Sequence, residues 1–328
     1  MTWHVAVDRL STMSAHLSVW ADASSGQRIT GGLLVGPISQ LGKTLKSRSP
    51  LAPVQPGNPA SPAGHVSPAS HVSPVDGGRW EVTVPEPTTW SPDSPTWYEL
   101  RVDLQTEGSA APIAERRRVG LRLLAARARS WAWGGRRWVV RGLVPSLSVI
   151  GDELGMEEQR QSGSTWVVRA GQTELLEAAS AWGIPVIGDL IAAGPDWAAA
   201  LDRLVIYPAV VGVVVHDVAQ CVAVRRGWPQ LMVIVRWSAS DMADSRGVAG
   251  SELKLAGAAR PDAGLVPESC IAEAVACGWD GPLMIVRTVD RQPQGGARSE
   301  VDRLQAAMAR WGDFAGYLVL SADDPLIP

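Results

Sequence analysis

From about residue 126 onward, short apolar runs recur with helix-like runs between them, and that alternation leaves few folds open. The strand-like runs fall at 138–141, 165–169, 185–188, 210–215, 231–236, 252–255, 283–287 and 317–320. Helical patterns lie between several of them, at 173–182, 271–277 and 300–311, with Thr173 heading a start of the capping type. Near-continuous apolar strands interleaved with helices imply a parallel sheet covered on both faces. Eight such units suggest a (β/α)8 barrel. Roughly 200 residues is the lower limit for that fold, so its loops must be short. The sixth run, 252–255, is weak, which leaves closure of the barrel open.

The N-terminal part has a different texture. Residues 1 to about 46 hold alternating segments such as 16–21, split by Ser24-Ser25-Gly26, and strand patterns return at 79–84, 97–106 and 115–125. An all-β sandwich is the natural assembly. It carries one long excursion, 47–78, rich in Pro, Ser, Gly and Ala, in which His-Val-Ser-Pro occurs twice. Alone, such a stretch is a polyproline-like or disordered loop. Extended Pro-rich segments lose little entropy on docking. Pro53, Pro56, Pro59, Pro62, His65, Pro68, His71 and Pro74 are therefore the interaction candidates. The expected organisation is multidomain: a sandwich over 1–117 with the loop at 47–78, then a compact barrel over 118–328.

Several short signatures tie these halves to a known frame. Thr89-Trp90-Ser91-Pro92-Asp93-Ser94-Pro95-Thr96-Trp97-Tyr98-Glu99-Leu100 is a two-proline turn leading into an alternating strand, and Val119-Gly120-Leu121-Arg122 closes another. Together they resemble the seam between an immunoglobulin-like domain and a barrel in the family 2 glycoside hydrolases, the β-galactosidase and β-glucuronidase group. Further along, Gly134-Gly135-Arg136-Arg137-Trp138-Val139-Val140-Arg141-Gly142 resembles the entry to that family's first barrel strand. Trp166-Val167-Val168-Arg169 resembles its second strand. Ala181-Trp182-Gly183-Ile184-Pro185-Val186-Ile187 resembles its third, and Tyr207-Pro208-Ala209-Val210-Val211 the approach to its fourth. The likeness covers roughly residues 80 to 220, and nothing in the chain resembles the family's N-terminal sugar-binding sandwich. It implies an immunoglobulin-like sandwich followed by a small TIM-type barrel.

The chemistry the resemblance implies is not matched residue by residue. A retaining glycosidase needs two carboxyl groups about 5 Å apart. The family's acid/base is a Glu after an Asn at the end of strand four. Here His216-Asp217-Val218 follows the strand, so Asp217 stands for Asn and Val218 for Glu. The nucleophile is a Glu at the end of strand seven, where this chain has no carboxylate before Asp290. The family's histidines after strands one and two fall in Pro145-Ser146-Leu147 and Ala170-Gly171, and Asp189 ends the third strand where the family often has Glu. If the chain is active, Asp217 with Asp189 or Asp290 must do the work. The bland reading is that Asp189 and Asp217 cap helices and that His216 with Asp217 is a local pair. Arg141, Arg169, Arg236 and Arg287 recur near strand ends. They suit either an anion site or, more naturally, an ionic network with Asp189 and Asp217 in place of an active site. A carbohydrate-binding reading needs exposed Trp platforms at the mouth, such as Trp237 or Trp279.

Composition narrows the rest. Hydrophobic residues make up 46% of the 328, and the net charge of -3 leaves no nucleic-acid footprint. Arg116-Arg117-Arg118 beside a strand reads as a solvated edge. Cys221, Cys270 and Cys277 have no metal-ligand spacing and fit a reduced, cytoplasmic setting. No run reaches the ~18 apolar residues of a membrane span, and the N-terminus has no secretory pattern. Phosphate loops, paired-cysteine or His-Glu-x-x-His metal sites and nucleophile elbows are missing, so no cofactor is expected. The fifteen Trp residues suit core sites first and interface anchors second. The expected protein is a non-catalytic subunit on a glycoside-hydrolase frame. Its expected partners are other protein subunits of a larger assembly, with the cytoplasmic face of a membrane complex as one setting.

Overall fold

The computed structural model describes residues 3–21, 25–39, 44–50, 52–53, 79–109, 111–238, 260–290 and 297–321. Contacts divide the chain into two units. One comprises Met1–Thr88 with Thr96–Leu121, and the other Thr89–Pro95 with Arg122–Pro328. The chain thus enters the second unit briefly at the two-proline turn, returns to the first, and leaves it for good after Leu121.

The first unit is an immunoglobulin-like sandwich of two four-stranded antiparallel sheets. One orders Trp3–Leu10, Ser14–Ala21, Trp80–Pro85 and Ala52–Pro53. The other orders Thr44–Pro50, Gln27–Ile38, Trp97–Thr106 and Ile113–Val119. Alternation decides which side chains go inside: in Trp97–Thr106, Tyr98, Leu100, Val102 and Leu104 are buried and their neighbours face outward. The strand expected over 115–125 is two strands, Ile113–Val119 and Leu124–Arg127, which lie in different sheets. The Arg116-Arg117-Arg118 run sits on an edge strand, but only its outer members are exposed. Arg117 turns inward by the same period of two, donates to the Trp3 carbonyl at 3.1 Å and lies 3.7 Å over the Trp3 ring. Of the loop candidates, Pro53 pairs with Trp80 through the backbone. Pro56, Pro59, Pro62, His65, Pro68, His71 and Pro74 lie outside the described residues.

The second unit contains a closed barrel of eight parallel strands in sequential order: Val140–Leu143, Thr165–Arg169, Val186–Asp189, Val210–Val215, Met232–Arg236, Ala263–Pro267, Leu283–Val289 and Gly316–Ser321. Closure comes from the pairing of the first strand with the eighth. The sixth strand is Ala263–Pro267. The expected run 252–255 lies outside the described residues. Each strand is buried on both faces; all six residues of Val210–Val215 are. Val167, Ile187, Val214, Ile234, Met284 and Leu318 fill the barrel, while Val168, Val186, Val213, Val233, Ile285 and Val319 pack outward against the helices. A three-stranded sheet, Leu124–Arg127, Ser130–Trp133 and Arg136–Trp138, precedes the barrel. Its fully buried Trp131 joins the interior cluster and donates to the carbonyl of Asp262, just before strand six, so the indole closes the N-terminal end of the barrel.

The residues that carry the family likeness meet in space. Trp90 is fully buried in the barrel unit, and its Nε1 donates to the Ser180 carbonyl at 3.3 Å. Ser180 belongs to the helix Thr173–Trp182, and its hydroxyl accepts from Ala209 N before strand four. That helix ends at Gly183, at φ 74, where a Cβ would come within 2.6 Å of the Pro92 carbonyl oxygen. Arg122, also buried, donates to the Pro208 and Val210 carbonyls, and burial pulls its guanidinium down to about 10. Its charge therefore persists at neutral pH. The cap of Thr173–Trp182 is Gln172 rather than Thr173, which is already helical.

Candidate functional site

In a barrel of this kind, side chains at the C-terminal strand ends form the mouth. Strand periodicity decides which of them point in. Val167, Ile187, Val214, Ile234 and Val286 are interior. Two residues further on, the same register carries Arg169, Asp189, His216, Arg236 and Thr288. Arg141 and Arg287 fall on the opposite register. Arg141 faces Asp302 of the helix Ala297–Met308, at 3.8 Å. Arg287 makes a bidentate pair with Glu268, both contacts 2.6 Å. This pair holds the Glu268 carboxyl below its ordinary range and raises the Arg287 guanidinium. Arg141 and Arg287 therefore stand outside the expected network of four arginines with Asp189 and Asp217, while Arg169 does pair with Asp189. A period of two puts two of the four outside the barrel.

Asp189 is the buried acid of the mouth, 2% exposed. Its Oδ1 accepts from the backbone N–H of Ile191 at 2.9 Å and Ala192 at 3.2 Å, closing the turn after strand three. Its Oδ2 lies 3.9 Å from Arg169 Nε. Asp217 is half exposed and caps the helix Val218–Gly227, its Oδ1 accepting from Gln220 N at 2.8 Å. The Nδ1 of exposed His216 is 4.0 Å from Asp217 Oδ2, near but not hydrogen-bonded. Asp290 is exposed, one residue past strand seven. Strand three stands opposite strand seven across the closed barrel and beside strand four. The structure thus brings Asp189 and Arg169 together, and gives Asp217 a backbone to hold.

Trp237 and Trp279 are not platforms. They are 7% and 5% exposed, pack edge to face with centroids 5.0 Å apart, and belong to the layer outside the barrel. Among the described residues, no group of three or more His, Cys, Asp or Glu side chains is placed to hold a metal, and no helix is long and apolar enough to cross a membrane. The mouth does contain a pocket of about 200 Å³, lined by Val144, Val167, Val168, Arg169, Gln172, Asp189 and Ser321. Gln172 and Ser321 carried no sequence signal as site residues. They are 149 positions apart, and only closure of strand eight onto strand one brings them to the same opening.

No protein-family model matches the chain, and no curated protein matches it in sequence. Solved structures do match. The β-glucuronidase from Ruminococcus gnavus superimposes over 97% of this chain with a TM-score of 0.59 at 9% identity. A family 2 glycosyl hydrolase from Bacteroides cellulosilyticus does so over 98% with 0.56 at 12%, and the β-glucuronidase from Parabacteroides merdae over 99% with 0.55 at 13%. The fold is that of the family 2 glycoside hydrolases. The chain spans 60%, 45% and 49% of those three proteins. In this chain strand four ends at Val215 and is followed by His216-Asp217, and strand seven ends at Val289 and is followed by Asp290.

Proposed function

We propose that this chain is a non-catalytic interaction protein on a family 2 glycoside hydrolase frame. One observation carries the reading: among the described residues, Asp189 is the single carboxylate on the inward register of the strand ends. Double displacement at a glycosidic carbon needs a nucleophile and a separate acid/base. Asp217 is committed to a helix cap, and Asp290 stands outside the strand in solvent. Fold does not carry chemistry by itself. The frame then serves as a rigid body, and the Pro-rich segment 47–78 as a docking element for other subunits. A place beside a membrane complex on its cytoplasmic side fits the same reading.

Activity is the first test. Purified chain is offered 4-nitrophenyl β-glucuronide and β-galactoside beside an Asp189→Asn/Asp217→Asn double variant. The expected result is identical background release. Turnover that vanishes in the double variant sinks the proposal in favour of a hydrolase with relocated carboxylates. Sedimentation of native extract is the second. The chain should travel in an assembly well above its own 34.8 kDa, and deletion of residues 50–76 should release it. Migration of the intact chain as a monomer removes the docking role.

A further inference from the structure

We infer that the pocket at the barrel mouth is a binding site for a small monocarboxylate with a short apolar chain, held by Arg169. The Arg169 side chain is 47% exposed, and its ion pair with Asp189 at 3.9 Å is the one interaction its guanidinium makes among the described residues. That distance is too long for a hydrogen bond. Among the described residues, the five N–H donors of its planar fork have the Asp189 carboxylate behind them and no acceptor in front. Asp189 is buried, so the outward face of the pair is the positive one.

The neighbours select the ligand. Gln172 Oε1 accepts from Arg169 N at 2.9 Å, which turns the amide donors of Gln172 away from the strand. Ser321, at the end of strand eight, completes the polar part of the pocket lining. Val144 and Val167 supply an apolar wall, which fits a hydrocarbon chain better than a hydrated inorganic anion. A carboxylate meets the guanidinium fork side-on through two N–H···O bonds. The buried charge of Asp189 disfavours a second negative charge on the ligand. About 200 Å³ limits the ligand to a few carbons.

Isothermal titration of the full chain with sodium butyrate at low ionic strength is the test. Saturable binding is expected with a Kd on the order of millimolar, as suits one charge-assisted contact. Arg169→Gln should weaken it at least tenfold, with Arg169→Lys between the two. Val144→Trp, which fills the pocket and leaves Arg169 in place, should abolish it. Arg287→Gln, on the outward register, should bind as the parent does. Inorganic phosphate and sulfate should bind at least tenfold more weakly than butyrate. Absence of saturable heat, unchanged binding in Arg169→Gln or in Val144→Trp, or phosphate as tight as butyrate each overturns the assignment. Thermal melts of every variant confirm that a lost signal comes from a folded protein.

Discussion

Trp90 illustrates how one residue links distant parts of the chain. It sits within a seven-residue excursion, Thr89–Pro95, yet it is fully buried and packs 5.7 Å from Trp133. Its N–H satisfies a carbonyl of the helix Thr173–Trp182, and removing the whole indole also opens a cavity. Trp90→Ala should cost about 3–5 kcal/mol. Trp90→Phe keeps most of the packing and loses one hydrogen bond, so it should cost about 1–2 kcal/mol. Urea unfolding measures both, and equal costs would show that the cavity does not matter. The presence of two prolines and a Trp at 90–97 was legible as a junction. The partner of that Trp was not, because Ser180 is a helix residue with no mark in sequence distinguishing it from Ser162 or Ser164.

Two elements yield predictions of opposite character. Asp217 follows a barrel strand at its C-terminal end and makes the hydrogen bond of an N-cap. If the cap is its role, Asp217→Asn keeps the acceptor and leaves stability unchanged, whereas Asp217→Ala lowers it by about 1 kcal/mol. A large loss in Asp217→Asn, read by thermal melting, contradicts the cap. The Arg287–Glu268 pair links strand seven to the helical turn Glu268–Cys270 after strand six. The carboxyl is held low in the folded chain, so its stabilisation is complete above the unfolded value of about 4.3. It is lost as pH falls through the lower folded value. At neutral pH the pair, 24% and 31% exposed, contributes about 1 kcal/mol. Stability measured from pH 6 down to 3 should fall less steeply in Glu268→Gln than in the parent. Parallel curves would show that the pair contributes nothing. The elements most legible in sequence were those with strong local patterns. The helix Thr173–Trp182 and the strands Thr165–Arg169 and Val210–Val215 fall where the periodicity predicts them. The sixth strand, Ala263-Gly264-Leu265-Val266-Pro267, was not legible. Its Gly and Pro are poor strand formers. Gly264 is nevertheless required, because a Cβ there would meet the Trp237 ring at 2.3 Å.

At the scale of the molecule, the division after Leu121 leaves one piece of the barrel unit upstream in sequence. A fragment of residues 122–328 lacks Trp90 and Pro92, hence the contact that backs Gly183. It should melt well below the full chain or fail to show a cooperative transition, followed by circular dichroism. A fragment melting with the barrel of the full chain would remove the excursion from the barrel's core. The same scale decides the site. The sequence by itself determined the two architectures and their order, because strand and helix periods are local properties of ten or so residues. It also placed His216-Asp217-Val218 after the fourth strand and Asp290 after the seventh. Only the tertiary structure decided which arginines face the mouth, that Asp217 holds a helix while Asp189 holds a turn, and that Trp237 and Trp279 are packed rather than displayed. The physical reason is closure: inside and outside of a barrel are defined only when the first strand pairs with the eighth, and no local pattern records that pairing.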